Sequence, residues 1–306
     1  MKSRDLVPTA GAGARSLVAA ATERLQSAGS PSPRLDAELL VAYAFGRDRT
    51  WVHAHPDAFL DEPDARRLDE WLERRASGEP IAYIRGFKEW LSLRIATDSR
   101  ALIPRPETEL LAEAAIEEIA GRLVRDDAPI SVWEVATGSG AVALALALRF
   151  RAALVLGRIR LAASDISAEA LELASENLAA NGVAGLVTLG CGDLLEPAVL
   201  PAPLLPDVVI ANLPYVSSAE VEAGSGSLRF EPRAATDGGA DGMELIRRLL
   251  EQLPTRLAAG GVALLEVGEG HADVIRELLP GVAMPAEMAT LADLADVQRV
   301  VRIDRL

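Results

Sequence analysis

Short apolar runs alternate with longer amphipathic stretches between residues 130 and 303. The runs have the length of buried strands. The stretches between them carry apolar residues at helical spacing, as in SAEALELASENLAANG, where Ser167 can cap a helix and Gly182 can end it. Strands alternating with helices predict right-handed βαβ units and a mostly parallel sheet. The predicted strands are residues 129–136, 158–165, 187–193, 206–212, 262–268 and 296–303.

The preceding part of the chain has a different pattern. Residues 15–78 read as helical, with one helix expected to begin at Ser32 and Pro33 and to end at Gly46. Residues 80–104 are richer in β-branched and aromatic residues, with Gly86 near a turn position, which suggests a hairpin. The pattern therefore predicts a helical domain over residues 1–79, a β-hairpin linker over 80–105 and an α/β domain over 106–306.

Polar residues gather where the predicted strands end. In open α/β sheets, ligands bind beyond the carboxyl ends of the strands. A binding site is therefore expected among these residues, which are Glu134 to Gly140, Asp165, Asp193, Asn212 and Glu266.

Composition narrows the class of protein. The chain has 306 residues, of which 50% are hydrophobic, and it carries one cysteine and three histidines, so neither a disulfide framework nor a Cys/His metal cluster is expected. No apolar run reaches transmembrane length and no apolar signal core follows the N-terminus, which favours a cytoplasmic protein with no membrane partner. The net charge of −14 disfavours nucleic acid as the substrate, and the arginines 66, 67, 74 and 75 read as a solvated helix face.

The segment EVATGSGA follows the first predicted strand and precedes a helix. Its Gly138-x-Gly140 spacing lacks the third glycine of a dinucleotide fingerprint. Asp165 ends the next strand, where a carboxylate can accept both ribose hydroxyls, and Asp193 with Leu194 ends the third, where they can flank adenine. Each aspartate alone is as well explained as a helix cap, but three such features on successive strand ends favour an adenosine-containing ligand.

Several segments together resemble one family. They are RLDAELLVAYAFG, RRASGEPIAYIRG, ALIPRPETELL, EVATGSGAVALALA, NLPYV, LRFEPRAATDGGADGMELIRRLL and LLEVG. Over nearly its whole length the chain resembles the PrmC/HemK family of class I S-adenosylmethionine-dependent methyltransferases, which methylate the glutamine side-chain amide of peptide-chain release factors. The resemblance implies a Rossmann-like, mostly parallel seven-stranded sheet whose last strand is antiparallel.

The resemblance also implies functional residues. S-adenosyl-L-methionine, which leaves as S-adenosyl-L-homocysteine, is expected to bind without a metal to Glu134, Ala136, Thr137, Gly138, Ser139, Gly140, Asp165, Ile166, Asp193, Leu194 and Asn212. A release factor is the implied protein substrate, bound by Arg105 and by the loop Asn212, Leu213, Pro214 and Tyr215, which is also the expected catalytic loop. The enzyme is expected to be a monomer.

The chemistry explains why such a loop is needed. An amide nitrogen is a poor nucleophile because its lone pair is delocalised into the carbonyl. Two fixed acceptors, the Asn212 side-chain oxygen and the Leu213 backbone carbonyl, can accept hydrogen bonds from its two hydrogens. These bonds would orient the nitrogen lone pair towards a methyl donor. Pro214 restricts Leu213 to extended conformations, and Tyr215 is expected to pack against the planar amide.

Two positions depart from the family pattern. Leu213 replaces the first proline of the usual Asn-Pro-Pro-Tyr loop, and Ala136 replaces the first glycine of the cofactor turn. If that turn needs a positive φ, alanine costs roughly 1 kcal/mol or more.

Three alternatives stay open from the sequence. Asn-Leu-Pro-Tyr also occurs in dimethyladenosine methyltransferases, so an amino methyltransferase acting on adenine in RNA or DNA is one. The two departures suggest an inactive cofactor-binding scaffold. A nicotinamide dehydrogenase is disfavoured because no His or Lys/Tyr pair is placed for hydride transfer.

Overall fold

The chain divides at Gly86 into two units, the second running from Phe87 to Leu306. The computed structural model describes residues 11–125, 128–196, 199–200, 204–224 and 226–306. The first ten residues of the predicted helical domain therefore lie outside the described residues.

The first unit is helical, as its apolar spacing predicts. Leu17, Leu40, Leu68 and Leu72 are fully buried in its core. Its described helices are α1 (Ala14–Ser27), α2 (Pro33–Ala44), α3 (Arg49–Ala54), α4 (Glu62–Ala76) and α5 (Ile81–Arg85).

Helix α2 begins and ends where the sequence predicts. Ser32 occupies the N-cap position, but its hydroxyl donates to the Asp36 carboxylate (3.0 Å) and does not accept a helix amide. At the other end, Gly46 has φ +61° and donates its amide to the Tyr43 carbonyl. A glycine there closes the helix without the strain that a Cβ would bring.

The arginines of α4 are all engaged by acids. Arg66, Arg67 and Arg74 pair with Glu62, Asp64 and Glu79, respectively. Arg75 differs from the prediction of a solvated face, because its side chain is 11% exposed and donates to Asp36 (2.8 Å). The cluster is therefore largely neutralised within its own unit.

The second unit opens with an antiparallel hairpin of β1 (Phe87–Trp90) and β2 (Leu93–Ala96). The interpretation of Gly86 as its turn is wrong: Gly86 ends α5 in the left-handed region. The turn consists of Leu91 and Ser92, both with positive φ, which matches the twist of a two-residue hairpin connection.

The described residues of the second unit also form a seven-stranded sheet with the order β5-β4-β3-β6-β7-β9-β8. All neighbouring pairs are parallel except those with β9, which confirms the predicted fold class and its antiparallel last strand. Its strands are β3 (Ile130–Val135), β4 (Ile159–Asp165), β5 (Val187–Cys191), β6 (Val208–Asn212), β7 (Val262–Glu266), β8 (Ala286–Ala292) and β9 (Gln298–Arg305).

Helices cover both faces of this sheet, because successive strand residues face opposite layers. Val132 packs in one hydrophobic cluster with α6 to α9, while Trp133 packs in the other with α11 and α12. The described helices of this unit are α6 (Thr108–Arg125), α7 (Ala141–Arg149), α8 (Arg151–Val155), α9 (Ala168–Ala180), α10 (Ser218–Ala223), α11 (Glu244–Arg256) and α12 (His271–Leu278). Within the described ranges, no helix has both the length and the apolar character needed to cross a bilayer.

Strand β8 is the one that the apolar pattern does not reveal. It lies at the sheet edge and none of its residues is fully buried, so it lacks a continuous apolar run. Edge strands are commonly polar, which limits unwanted pairing with other chains.

Asn177 of α9 joins the hairpin to the sheet. Its amide oxygen accepts from the Ala96 amide (2.7 Å), and its nitrogen donates to the carbonyls of Ala96 (3.1 Å) and Ser139 (2.9 Å). The Asn177 side chain is 2% exposed, so little solvent competes for these bonds.

Replacing Asn177 by leucine should lower the free energy of unfolding by about 3 kcal/mol, because three backbone groups that are wholly or partly buried lose their partner. Chemical denaturation measures this loss. Ser175→Ala, at an exposed position of the same helix, is the matched control and should change stability little. Equal stability of the two variants would contradict this account of how the hairpin is held.

Candidate active site

A cavity of about 510 Å³ opens at the carboxyl edge of the sheet. It lies where the strand order reverses, between β4 and β6 on either side of β3, which is where doubly wound sheets bind ligands. The predicted residues that line it are Arg105, Glu134, Ala136, Thr137, Gly138, Ser139, Asp165, Ile166, Asp193, Leu194, Asn212, Leu213 and Pro214. Gly140 and Tyr215 are not part of the lining.

The turn between β3 and α7 brings backbone to the cavity. Ala136, Gly138 and Gly140 have φ of +55°, +55° and +76°. A Cβ on Gly140 would lie 2.9 Å from that of Ala174, so glycine is required there by packing as well as by conformation. The turn does need a positive φ at Ala136, the condition considered from the sequence. The left-handed conformation therefore costs this alanine about 1–2 kcal/mol.

Glu134 lies beneath this turn and is almost fully buried. Burial raises its pKa from 4.5 to about 8, although the Thr137 hydroxyl (2.8 Å) and the Ala143 amide donate to it. Folding therefore favours the protonated acid, and Glu134 destabilises the fold as the pH rises from 4.5 to about 8. A cation bound beside it would reverse that preference.

Asp165 is held by backbone amides. Its two oxygens accept from Gly138 (2.8 Å) and Ser167 (2.9 Å), while burial raises its pKa. The cap of α9 is Ser167, whose hydroxyl accepts from the Ala170 amide, so the carboxylate of Asp165 is not needed for that purpose. The Ile166 amide also donates to this carboxylate. Because a carboxylate has about four acceptor sites, at least one lone pair remains for a ligand hydroxyl.

Asp193, beyond the end of β5, is already engaged by another side chain, which the sequence does not reveal. Its carboxylate accepts from the Arg248 guanidinium of α11 (2.5 Å). Leu194 beside it is 5% exposed, whereas Ile166 is 62% exposed at the cavity. The apolar surface available to a planar ring here thus includes Ile166.

Asn212 ends β6, and its orientation is fixed from a different element. Its amide nitrogen donates to the Thr108 hydroxyl at the start of α6 (3.1 Å). Among the hydrogen bonds of the described residues, none reaches the Asn212 amide oxygen. The oxygen is therefore the Asn212 atom that can accept from a ligand in the cavity.

Tyr215 is not among the cavity-lining residues, and its described contacts are with two other side chains. Its ring meets His271 edge-on, at 6.2 Å between centroids, and its hydroxyl donates to Glu266 at the end of β7 (3.4 Å). Burial, followed by the charge of Glu266, raises the pKa of Tyr215 to about 12. The predicted packing of this ring on a substrate amide stays a prediction.

Two glycines of a neighbouring segment pack directly against the backbone of this loop. A Cβ on Gly238 would lie 2.5 Å from the Pro214 carbonyl oxygen, and one on Gly242 would lie 2.2 Å from that of Tyr215. The amide of Gly238 also donates to the Val216 carbonyl (2.8 Å). Such close approach explains the glycines of the TDGGADG segment.

Arg105 pairs with Glu231, not with the neighbouring Glu107 or Glu109. The guanidinium donates to a Glu231 oxygen (2.6 Å), and the side chain of Glu231 is fully buried. Glu231 thereby holds Arg105 at the cavity wall, which leaves the predicted substrate contact of Arg105 as a prediction.

Sequence reasoning missed Thr108 as a partner of Asn212. It also did not pair Glu231 with Arg105. Thr108 lies in the segment IPRPETE and Glu231 in RFEPR. Both segments belong to the stretches that carry the family resemblance, and that resemblance was the signal that could have drawn attention to these residues. What the sequence lacks is the pairing, because 104 residues separate Thr108 from Asn212.

The chain is similar to known proteins over most of its length. Residues 16–86 match the PrmC N-terminal domain model. A release factor glutamine methyltransferase from Koribacter versatilis is 36% identical over 92% of this chain and 94% of its own. This chain belongs to the release factor glutamine methyltransferase family. Another member, from Rhodopirellula baltica, is 35% identical over 93% of each chain.

Solved structures bear on the fold of this family member. The hMettl16 catalytic domain, in complex with a 3′UTR hairpin, is 14% identical and aligns with a TM-score of 0.50 over 81% of this chain and 83% of its own. This likeness concerns the methyltransferase fold alone. Over the ranges that the structure describes, no group of three or more His, Cys, Asp or Glu could hold a metal ion.

Two glycines with the same backbone conformation test how the methyltransferase loop is held. Gly242 (φ +73°) and Gly260 (φ +70°) should both lose about 1–2 kcal/mol of unfolding free energy on replacement by alanine, because of the positive φ. Gly242→Ala should lose a further 1–3 kcal/mol, roughly, because its Cβ would overlap the Tyr215 carbonyl, whereas that of Gly260 meets nothing within 4 Å. Denaturant titration distinguishes the two, and equal losses would show that the loop moves aside freely.

Proposed function

We propose that this protein transfers a methyl group from S-adenosylmethionine to the side-chain amide nitrogen of the glutamine in the Gly-Gly-Gln motif of release factors. The observation that carries the proposal is the orientation of Asn212. The Asn212 amide nitrogen donates to Thr108, so the Asn212 oxygen is the atom left for a ligand in the cavity. An oxygen acceptor is what the N–H groups of a substrate amide require. The names of the relatives support glutamine as the acceptor.

The cavity fits a ligand that combines a cation with ribose and an aromatic ring. Glu134 is a buried acid whose ionised form a cation would stabilise, and Asp165 keeps at least one lone pair for a ribose hydroxyl. Ile166 adds exposed apolar surface beside them. We assign the methionine part to Glu134 and the turn at 136–140, the ribose to Asp165, and adenine to Ile166, Asp193 and Leu194. When bound, the cofactor supplies an activated methyl group on a positively charged sulfur.

The residues of the chain orient the acceptor. The Asn212 oxygen and the Leu213 carbonyl take the two amide hydrogens, which favours a pyramidal nitrogen with an available lone pair. Pro214 limits the conformations of Leu213, so the second acceptor is held in place. Orientation of this kind lowers the barrier without a general base.

The two other functions are less well supported. An exocyclic adenine amine would meet the same acceptors, but the arginines of α4 are engaged by acids and the chain carries a net charge of −14. An inactive scaffold would not need an oriented Asn212. A release factor as partner, a cytoplasmic location and a monomeric state belong to this proposal.

Incubation with cofactor should add one methyl group to the glutamine of a release factor. Asn212→Ala, measured at saturating cofactor, should slow this reaction by a factor of about 10²–10³, because one of two fixed polar groups around the reacting atoms is lost. Peptide mass spectrometry locates the methyl group and follows the rate.

Asn181→Ala is the control, because Asn181 bonds within α9 and is not part of the cavity lining. It should leave the rate unchanged. Labelled methyl that appears in RNA or DNA and not in the release factor would replace the proposal by the adenine alternative.

Cofactor binding should release a proton from Glu134 near pH 7. The free enzyme holds that proton because burial raises the pKa to about 8, and a bound cation lowers it again. Calorimetric titration with S-adenosylhomocysteine, whose amino-acid part keeps an ammonium group although its sulfur is uncharged, counts the protons when it is repeated in buffers of different ionisation enthalpy. Glu134→Gln should release fewer than the wild type near pH 7, and the difference should vanish above about pH 9. Identical proton counts at pH 7 would remove Glu134 from the cofactor site.

A further inference from the structure

The proposed reaction leaves one buried acid unused. Glu266 ends β7 next to β6, directly beside Asn212 in the register, and is 1% exposed. Its Oε2 is buried and takes no hydrogen bond of ordinary geometry from the residues that the structure describes. A buried carboxylate with an unfilled acceptor site is costly unless a donor reaches it.

Thr108 stands between this acid and Asn212. Its hydroxyl oxygen accepts from the Asn212 amide nitrogen (3.1 Å), and Asn212 is the register partner of Glu266. The hydroxyl lies near enough to lower the pKa of Glu266, although no hydrogen bond of ordinary geometry joins the two side chains among the described residues. A hydroxyl has a single hydrogen to donate. When that hydrogen goes to the Glu266 carboxylate, only the oxygen of Thr108 remains to meet the Asn212 amide.

We propose that Glu266, acting through Thr108, determines which atom of the Asn212 amide is offered to the substrate. The inference rests on the proposed function and deepens it. An ionised Glu266 takes the Thr108 hydrogen, so Asn212 must turn its NH2 group to Thr108 and its oxygen to the cavity. Thr108 and Glu266 are thus positioning residues for the acceptor amide.

The opposite state follows from protonation. A protonated Glu266 no longer requires the hydrogen of Thr108, which can then donate to the Asn212 oxygen if the amide rotates. Asn212 would then present its NH2 group, which cannot accept hydrogens from a substrate amide. Burial raises the pKa of Glu266 from 4.5 to about 7, so the ionised, productive state is populated above that pH and lost as the pH falls through it.

Other charged groups act on the same acid. The charge of Glu107, before α6, raises the pKa of Glu266, while Arg299 of β9 and the Tyr215 hydroxyl lower it. Arg299 is itself paired with Asp293 (2.9 Å), and His271 of α12 packs against the Tyr215 ring. Burial lowers the pKa of His271, so a pH profile needs a variant that removes the Thr108 link but keeps these groups.

Thr108→Val is that variant, and Thr108→Ser restores the hydroxyl. At about pH 8 and saturating substrates, valine should reduce kcat by about tenfold, because the Asn212 amide is free to rotate, and serine should recover most of it. The wild-type kcat should fall below about pH 7, and the valine variant should lose the part of that fall due to Glu266.

A second readout does not depend on methylation. Side-chain amide resonances of Asn212 in ¹⁵N-labelled full-length protein should shift with pH through about 7 in the wild type and the serine variant, and should lose this transition in the valine variant. If the chemical shifts of the Asn212 side-chain amide do not change with pH in the wild type, the inference is overturned, even if the valine variant fails to fold. A serine variant as slow as valine would overturn it too.

Failure of the proposed function looks different. A wild type that leaves the release factor unmethylated refutes the proposed function, while the Asn212 resonances still decide whether Glu266 orients this amide through Thr108. A wild type that methylates, with valine and serine variants of equal kcat and equal pH profile, refutes the inference and leaves the function standing.

Discussion

The hydrogen bond from the Asn212 amide to the Thr108 hydroxyl links the end of a central strand to the start of the first helix of the α/β unit. An asparagine can offer either an oxygen or an NH2 group, and these two faces are chemically opposite. A site that must accept hydrogen bonds from its substrate needs the amide oxygen of the asparagine turned towards that substrate and the NH2 group turned away. The partner on α6 provides this selection, and the surrounding loop geometry serves to keep the two segments in contact.

Much of the rest of the site can be understood as support for that contact. Gly238 and Gly242 allow the loop after α10 to lie directly on the backbone of Pro214 and Tyr215. The ion pair between Arg105 and the buried Glu231 carboxylate ties the segment before α6 to the same region. The segment before α6 and the loop after α10 therefore have a common physical role, which is to fix the position of the α6 N-terminus relative to the end of β6.

The sequence was sufficient for the fold because the buried strands and amphipathic helices are periodic. It also predicted that the candidate residues lie together, because strand ends meet at one edge, and most of them line one cavity. It failed at β8, whose exposed residues carry no apolar run, and at Gly86, whose positive φ ends a helix and does not make the hairpin turn. It also could not pair Thr108 with Asn212 or Arg248 with Asp193, because such contacts depend on how distant elements pack. Local patterns specify elements, whereas side-chain pairs across elements are decided by the assembled core.

Leu213 shows how a departure from the family loop can be accommodated. Its side chain is 2% exposed and belongs to the hydrophobic cluster of α11 and α12, so it contributes burial that stabilises the loop. Proline would have restricted the backbone at this position directly. In this chain, Pro214 restricts Leu213 from the following position and the core holds its side chain, so the carbonyl that the proposed reaction needs is constrained from both sides. Ala136 is different, because its positive φ is a local cost that no side-chain burial removes, and the surrounding turn must hold it in place.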